Sequence, residues 1–546
     1  MIAKRIARSL MIFLSGAIAL ALLSGMAKKP PEAPPPVPAK PAITTEAIAA
    51  LIKQDLEKPP VNGFDLGALA RFYGARNDAP AWTDKAKADA ALAALAQSGD
   101  DGLDPETYHA DALAAAHRDT PQAIAQYDLV LTDGFLKYAR DMRLGAISPY
   151  SVEGDIALPE RSFDPVAALA AALASNALPQ FISSLAPPHA EYAGLKKAYI
   201  HYRAIAARGG WQEIPASAKF TQGEDLPLLR ARLGFEESVG NDLAAALKEY
   251  QTRNGLDASG MLDSATLASL NVPASARAGQ IMLNMERWRW MPPFAARYIE
   301  VNTADATLKV FDNGKLALIS RIIAGKRASP TPIFFAQVEQ VTVNPPWNVP
   351  NNIARHEMLP KLRRNPDYLS SQHIVILNGP ANDPYGTTIN WGSISAAKFP
   401  YDFRQLPGDD NALGYLKLEM PNRFDSYLHD TPTRNLFARA DRHLSHGCMR
   451  VQEILPLASY ALTGDVNAGL TQIKSLIDAH ETKHIALDKK LPVYVLYWTA
   501  IADADGNAGF RPDVYGRDAE LLAALSAPHV PGKVSMTALE TECSAG

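Results

Sequence analysis

The hydrophobic period of the chain changes once, near residue 294, and that change separates a helical part from a sheet part. From about 46 to 222 the sequence is alanine-rich and its apolar residues recur at three- and four-residue steps. Ile124, Tyr127, Leu131, Phe135, Tyr138 and Met142 form one such stripe, which predicts an inward-packing face in a helical scaffold. Residues 223–275 read as a compact unit of three small helices. The first covers 226–233, the second carries Leu243, Leu247 and Tyr250 and stops at Asn254-Gly255, and the third is capped by Asp263 and carries Leu267 and Leu270. A linker at 276–295 holds a further helix ended by Pro292-Pro293. Its Trp288 and Trp290 read as packing anchors or as a sugar platform.

Beyond Phe294 alternation replaces the helical period, and strands are predicted at 298–301, 308–311, 316–323, 338–343, 373–377, 415–420, 426–429 and 493–498. Asn313-Gly314 between two of these runs predicts a tight hairpin. Residues 296–500 are therefore mostly β, giving a multidomain α+β chain. A polar insertion at 351–412 interrupts them, with the length of a lid or binding element.

The amino terminus adds a destination. Lys4, Arg5 and Arg8 precede an apolar run at 10–23 and the small residues around Ser24-Gly25-Met26-Ala27, so residues 1–27 read as a secretory signal. The run is shorter than the roughly 18 to 20 residues of a spanning helix, which favours cleavage and leaves an uncleaved inner-membrane anchor as the alternative. Residues 28–45 include seven prolines and read as a polyproline-type spacer or as a disordered one of the same function. With 546 residues, 47% of them hydrophobic, and a net charge of −4, the chain can bury several cores. No long basic block marks a nucleic-acid partner. Residues 501–546 read as a tail.

The candidate chemistry lies in His443-Leu444-Ser445-His446-Gly447-Cys448-Met449-Arg450, which holds one of two cysteines. A cysteine nucleophile needs a base or a positive environment to supply thiolate. His446 lies in the same loop, and His429 stands 19 residues upstream at a strand end. Gly447 permits a sharp turn that could aim backbone N–H groups at a developing oxyanion. Three alternatives stay open: a zinc site of His429, His443, His446 and Cys448, a buried structural cysteine, and a disulfide from Cys448 to Cys543 in the tail.

Ser445-His446-Gly447-Cys448-x-Arg450, preceded by Tyr427-Leu428-His429-Asp430-Thr431-Pro432, resembles the active-site signature of the L,D-transpeptidases of bacterial peptidoglycan synthesis. Asn344-Pro345-Pro346-Trp347-Asn348-Val349-Pro350 and Leu418-Glu419-Met420-Pro421-Asn422 are similar to segments of the large Gram-negative murein members. The stretch 247–271 resembles the small peptidoglycan-binding domain of cell-wall enzymes. The resemblance implies a helical scaffold, a peptidoglycan-binding domain and a β-rich catalytic domain with an inserted capping subdomain.

It further implies Cys448 as nucleophile and His429 as base, with a nearby backbone carbonyl orienting the imidazole. Gly447 and Cys448 N–H groups and Tyr427 would form the oxyanion site, supported by Ser445 and His446. Arg450, Trp347, Asn348 and Asn422 would bind substrate, with a structural salt bridge for Arg450 and a core place for Trp347 as the alternatives. The implied reaction forms 3→3 diaminopimelate cross-links from tetrapeptide stems with release of D-Ala, in the periplasm, without metal or organic cofactor. Implied partners are stem peptides, glycan, carbapenem-type inhibitors and other cell-wall synthesis or hydrolysis proteins. Hydrolysis of the same thioester and a non-catalytic wall-binding role are the competing readings.

Overall fold

The stripe read along 124–142 is the inward face of the helix Pro121–Leu144, where Tyr127, Leu131, Phe135, Tyr138 and Met142 are buried. Thr120 caps its start by accepting from Ala123 N at 3.1 Å, and Gly145 ends it. The computed structural model describes residues 43–58, 63–152, 154–215, 225–236 and 242–527. The signal sequence, most of the proline-rich spacer and Cys543 lie outside them. Among the described residues no helix is long and apolar enough to cross a membrane.

Around that central helix pack Thr45–Glu57, Leu66–Gly74, Lys85–Ala96 and Pro165–Ala174. The bundle contains a polar staple. Asp128, buried at its centre, accepts from Ala81 N and Trp82 N, both at 2.8 Å, and from Tyr73 Oη at 2.6 Å, so a carboxylate that would be costly alone is satisfied. Helices Asp225–Glu236, Leu243–Arg253 and Ser264–Leu270 gather Leu229, Leu233, Leu247, Tyr250 and Leu270 into a separate small core.

The helix Ala274–Trp290 is the spine between the helical and β parts. Trp288 stacks on Trp498, with ring centroids 4.6 Å apart, and Trp290 is buried; both are packing anchors. Buried Glu286 bonds Arg289 at 2.8 Å and Ile147 N at 2.9 Å.

The sequence places no strand in the helical region, yet β1 (Ile156–Ala157) leaves it to join the main sheet. The remaining strands of that sheet follow the alternating pattern: β2 (Arg297–Asn302), β3 (Thr307–Asp312), β4 (Lys315–Gly325) and β5 (Ile333–Val343). Asn313 and Gly314 both take positive φ, 49° and 78°, as a two-residue hairpin between β3 and β4 requires.

The insertion is more ordered than its polar composition suggests. β6 (Trp347–Asn348), β7 (Ile374–Ile376) and β8 (Phe403–Gln405) make a separate three-stranded sheet. Over it Leu359, Leu362, Leu369, Trp391 and Phe403 form an independent core.

β9 (Leu416–Glu419), β10 (Leu428–His429), β11 (His443–Ser445), β12 (Met449–Val451) and β13 (Lys483–Leu496) complete the main sheet. Its order β5-β13-β2-β3-β4-β12-β10-β9 closes because β9 returns to β5, giving a barrel around Ile299, Val310, Phe334, Leu418, Leu428, Met449 and Val493. β1 lies parallel to the start of β5.

Residues 501–526 are not a detached tail. β14 (Ala500–Ala502) and β15 (Ala508–Phe510) form a hairpin, and the helix Arg517–Ser526 packs against Ala274–Trp290. Three-residue strands and a single short helix are too brief to register as a period.

Candidate active site

Two short strands build the site. β10 and β12 pair in parallel, Leu428 with Met449 and His429 with Arg450, and Met449 N donates to Tyr427 O at 3.1 Å just before the ladder starts. Side chains alternate along a strand, so Leu428 and Met449 point into the barrel core while Tyr427, His429, Cys448 and Arg450 share the other face. Nineteen residues of sequence separation thus reduce to adjacent strands. All four line one cleft of about 580 Å³.

One wall of the cleft comes from the barrel and its loops, including Pro330, Pro332, Asp425 and Ser426. The other comes from the insertion and its stem, including Trp347, Ile353, Glu357, Lys361 and Tyr368.

Among the described residues Cys448 has no disulfide partner; the alternative pairing with Cys543 lies outside them. The Sγ of Cys448 lies 3.9 Å from Asp425 O, and Tyr427 and Trp347 line the same cleft. Burial pushes the thiol above its ordinary value, against the pull of neighbouring Tyr427 and of the positive charges of Lys417 and Arg450. Burial, reinforced by Arg450 and Lys417, pushes His429 down to about 3. Both groups are therefore neutral at neutral pH. Nδ1 of His429 is buried without a well-aligned partner; the Asp430 main chain interacts with the ring only weakly. Asp430 accepts from Tyr415 N at 3.0 Å and Arg434 Nη1 at 2.8 Å, which fixes the exit of the His429 strand.

Several expected roles change. Gly447 N donates to Ser445 Oγ at 3.1 Å, so it is not free to meet an oxyanion, whereas Cys448 N has no hydrogen-bond partner among the described residues. Ser445 is a brace, since its hydroxyl also donates to Cys448 O at 2.6 Å. Gly447 needs its lack of a side chain, with φ at +117°.

His446 turns toward the insertion. Its Nε2 meets Glu357 Oε1 at 2.5 Å and lies 3.1 Å from Lys326 Nζ. Burial raises Glu357, but the bond and charge of His446 together with Lys326 and Lys361 prevail and hold it below the usual carboxylate range. Arg450 reaches Thr433 Oγ1 at 3.4 Å and has no carboxylate partner among the described residues.

Trp347 lines the cleft, but Asn348 accepts from Arg404 Nε at 2.7 Å across β6 and β8 and is not among the lining residues. Asn422 is also outside the cleft. It organises the turn before β10, with Oδ1 accepting from Phe424 N at 3.0 Å and Nδ2 donating to Ser426 O at 2.7 Å.

His443 is engaged elsewhere, bonding Asp441 Oδ1 at 2.9 Å and Thr303 O at 2.8 Å. The four side chains of the zinc alternative therefore do not converge. Lys417, Thr331 and Ser426 were missed from the sequence. Lys417 lies opposite His429 in the register of β9 with β10, which is known only once the strands are paired.

Three family patterns match the chain: a "Scaffold domain" over 67–198, a "Putative peptidoglycan binding domain" over 231–270, and an "L,D-transpeptidase catalytic domain" over 296–473. A Haemophilus influenzae protein named "Putative L,D-transpeptidase" is 36% identical over 247 residues, covering 45% of this chain and 49% of that protein. The alignment thus spans about half the length of that relative. A solved structure titled "Structure of the Ldtfm-avibactam carbamoyl enzyme" is 12% identical over 41% of this chain and 64% of its own, with a TM-score of 0.18, too slight a likeness to carry an argument. Residues 296–473 are thus similar to L,D-transpeptidase catalytic domains, and they follow segments similar to a scaffold domain and a peptidoglycan-binding domain.

Proposed function

We propose that the protein is a cysteine-dependent L,D-transpeptidase that joins two peptidoglycan stems through a 3→3 diaminopimelate link. The observation that carries this reading is the parallel pairing of β10 with β12, which sets Cys448, Tyr427 and His429 on one cleft.

In the first half-reaction Sγ of Cys448 attacks the carbonyl of the third stem residue as the thiol proton passes to His429. The developing oxyanion meets Cys448 N–H and the Tyr427 hydroxyl. The tetrahedral intermediate expels D-Ala, whose nitrogen takes the proton from His429, and leaves a thioester. In the second, the side-chain amine of another diaminopimelate attacks the thioester, loses its proton to His429 and frees the thiol. Arg450 and Lys361 would attract the stem carboxylates. The insertion would act as a cap that keeps water from the thioester, and residues 231–270 would hold glycan near the cleft.

Export to the periplasm through residues 1–27 belongs to the same proposal. So does acylation of Cys448 by a carbapenem, whose strained carbonyl would meet the same sulfur as its proton passes to His429. The mechanism draws on no metal, and EDTA is expected to leave turnover unchanged.

The deciding experiment incubates purified protein with disaccharide-tetrapeptide and weighs the products. Cross-linked dimer with loss of D-Ala is expected. Tripeptide alone would select hydrolysis, and no change would select a binding role.

A further inference from the structure

A trans peptide unit carries its carbonyl and its N–H on opposite sides, so whatever fixes Gly447 O also fixes the direction of Cys448 N–H. Gly447 O is fixed twice. The Thr331 hydroxyl donates to it at 3.0 Å, and the Ser426 hydroxyl donates at 3.3 Å. Without them a glycine at φ +117° is the residue most able to swing.

Thr331 is fully buried and anchored through every polar group it has. Its Oγ accepts from Gly325 N at 2.9 Å, leaving its one proton for Gly447 O. Its N–H reaches Tyr515 Oη at 3.5 Å, and its carbonyl accepts from Arg517 at 3.3 Å. Tyr515 also donates to Gly325 O at 2.7 Å.

Arg517 closes the set by a bidentate pair with Asp155, both bonds at 2.7 Å. Asp155 immediately precedes β1, and its carbonyl accepts from Ile333 N at 3.1 Å. The brace of the nucleophile peptide is thus assembled from the barrel, the C-terminal segment and a strand that belongs to the helical region.

We propose that Thr331 is the positioning residue of the oxyanion site, aiming Cys448 N–H at the carbonyl under attack, and that the Asp155–Arg517 pair makes this aim depend on the docked scaffold segment. The proposal rests on the reading of Cys448 as an acyl-transfer nucleophile. Thiol alkylation develops no oxyanion and acylation does, so the two reactions separate positioning from simple damage.

The test uses the full chain with T331V, T331S, Y515F and D155N. Carbapenem acylation and iodoacetamide alkylation of the Cys448 peptide are timed by mass spectrometry. Because removing an oxyanion donor costs about a hundredfold or more and misaiming one costs less, T331V should acylate about ten- to a hundredfold more slowly while alkylating within about twofold of wild type. T331S should recover most of the rate, and Y515F and D155N should show smaller losses of acylation alone. T331V acylating at the wild-type rate, or acylation and alkylation falling together, would overturn the proposal. If T331V does not fold, Y515F decides in its place, and wild-type acylation by that variant counts against the proposal. Wild-type protein that alkylates at Cys448 but never acylates would bring down the acyl-transfer reading itself.

Discussion

Cys448 and His429 meet as a neutral pair. Burial raises the thiol and lowers the imidazole to about 3, so proton transfer must accompany attack rather than precede it. The sign follows for reactivity. Thiolate grows as pH rises through and beyond the ordinary thiol value of about 8.5, and no second limb from His429 enters until far into acid. Alkylation of Cys448 should therefore rise with pH across the neutral range without a plateau below pH 7; such a plateau would reveal a thiolate–imidazolium pair instead. Cys448→Ala and His429→Ala should each abolish turnover while leaving the fold intact, and near-native turnover of either would end the mechanism. That Cys448, His429 and Gly447 belong to one site was legible because their residue types are scarce and closely spaced. Thr331 and Ser426 were not, since a buried hydroxyl facing a carbonyl has no sequence signature until the backbone is placed.

At the scale of elements, long runs were legible and short ones were not. The hairpin at Asn313-Gly314 and the strands at 298–301, 308–311 and 316–323 follow from alternation and turn chemistry. The pairs Leu428–His429 and Ile156–Ala157 are two residues long, which no periodicity can register, and yet one builds the site and the other braces it. The insertion was visible only as an interruption. Its core around Leu359, Trp391 and Phe403 is assembled from three separated segments.

That architecture suggests a clean excision. Asn348 faces Arg404 in the antiparallel pairing of β6 with β8, so Asn-Gly could replace residues 349–403 as a two-residue hairpin turn. The variant loses the wall formed by Ile353, Glu357, Lys361 and Tyr368, together with the His446–Glu357 contact. Cys448 should still alkylate, while the ratio of cross-linked dimer to tripeptide should fall as water reaches the thioester. An unchanged ratio in the folded variant would reduce the insertion to a structural elaboration.

For the whole molecule, the domain boundaries in the sequence are not mechanical boundaries. The described residues from 43 to 527 form one compact unit. The seams within it are specific: Asn254 Oδ1 accepts from Phe510 N at 3.0 Å, Arg511 Nη1 donates to Arg253 O at 2.6 Å, and Arg287 pairs with Asp518 at 2.5 Å. Composition cannot reveal such seams, because each residue reads locally as a cap or a surface charge. The Glu286–Arg289 pair is enclosed, with both side chains 1% exposed, and through Ile147 N and Tyr192 Oη it ties the spine helix to the scaffold. Breaking one partner of such a pair leaves a buried charge and typically costs about 3 to 5 kcal/mol. Arg289 also bonds the Asp101 carbonyl, so Glu286→Gln should fall near the lower figure. Urea unfolding followed by tryptophan fluorescence and by circular dichroism should give one shared transition in the wild type, shifted to lower urea in the variant with its slope retained. Two separated transitions in the wild type would mean that scaffold and barrel unfold independently, and the coupling drawn from Asp155 to Gly447 would then lose its mechanical basis.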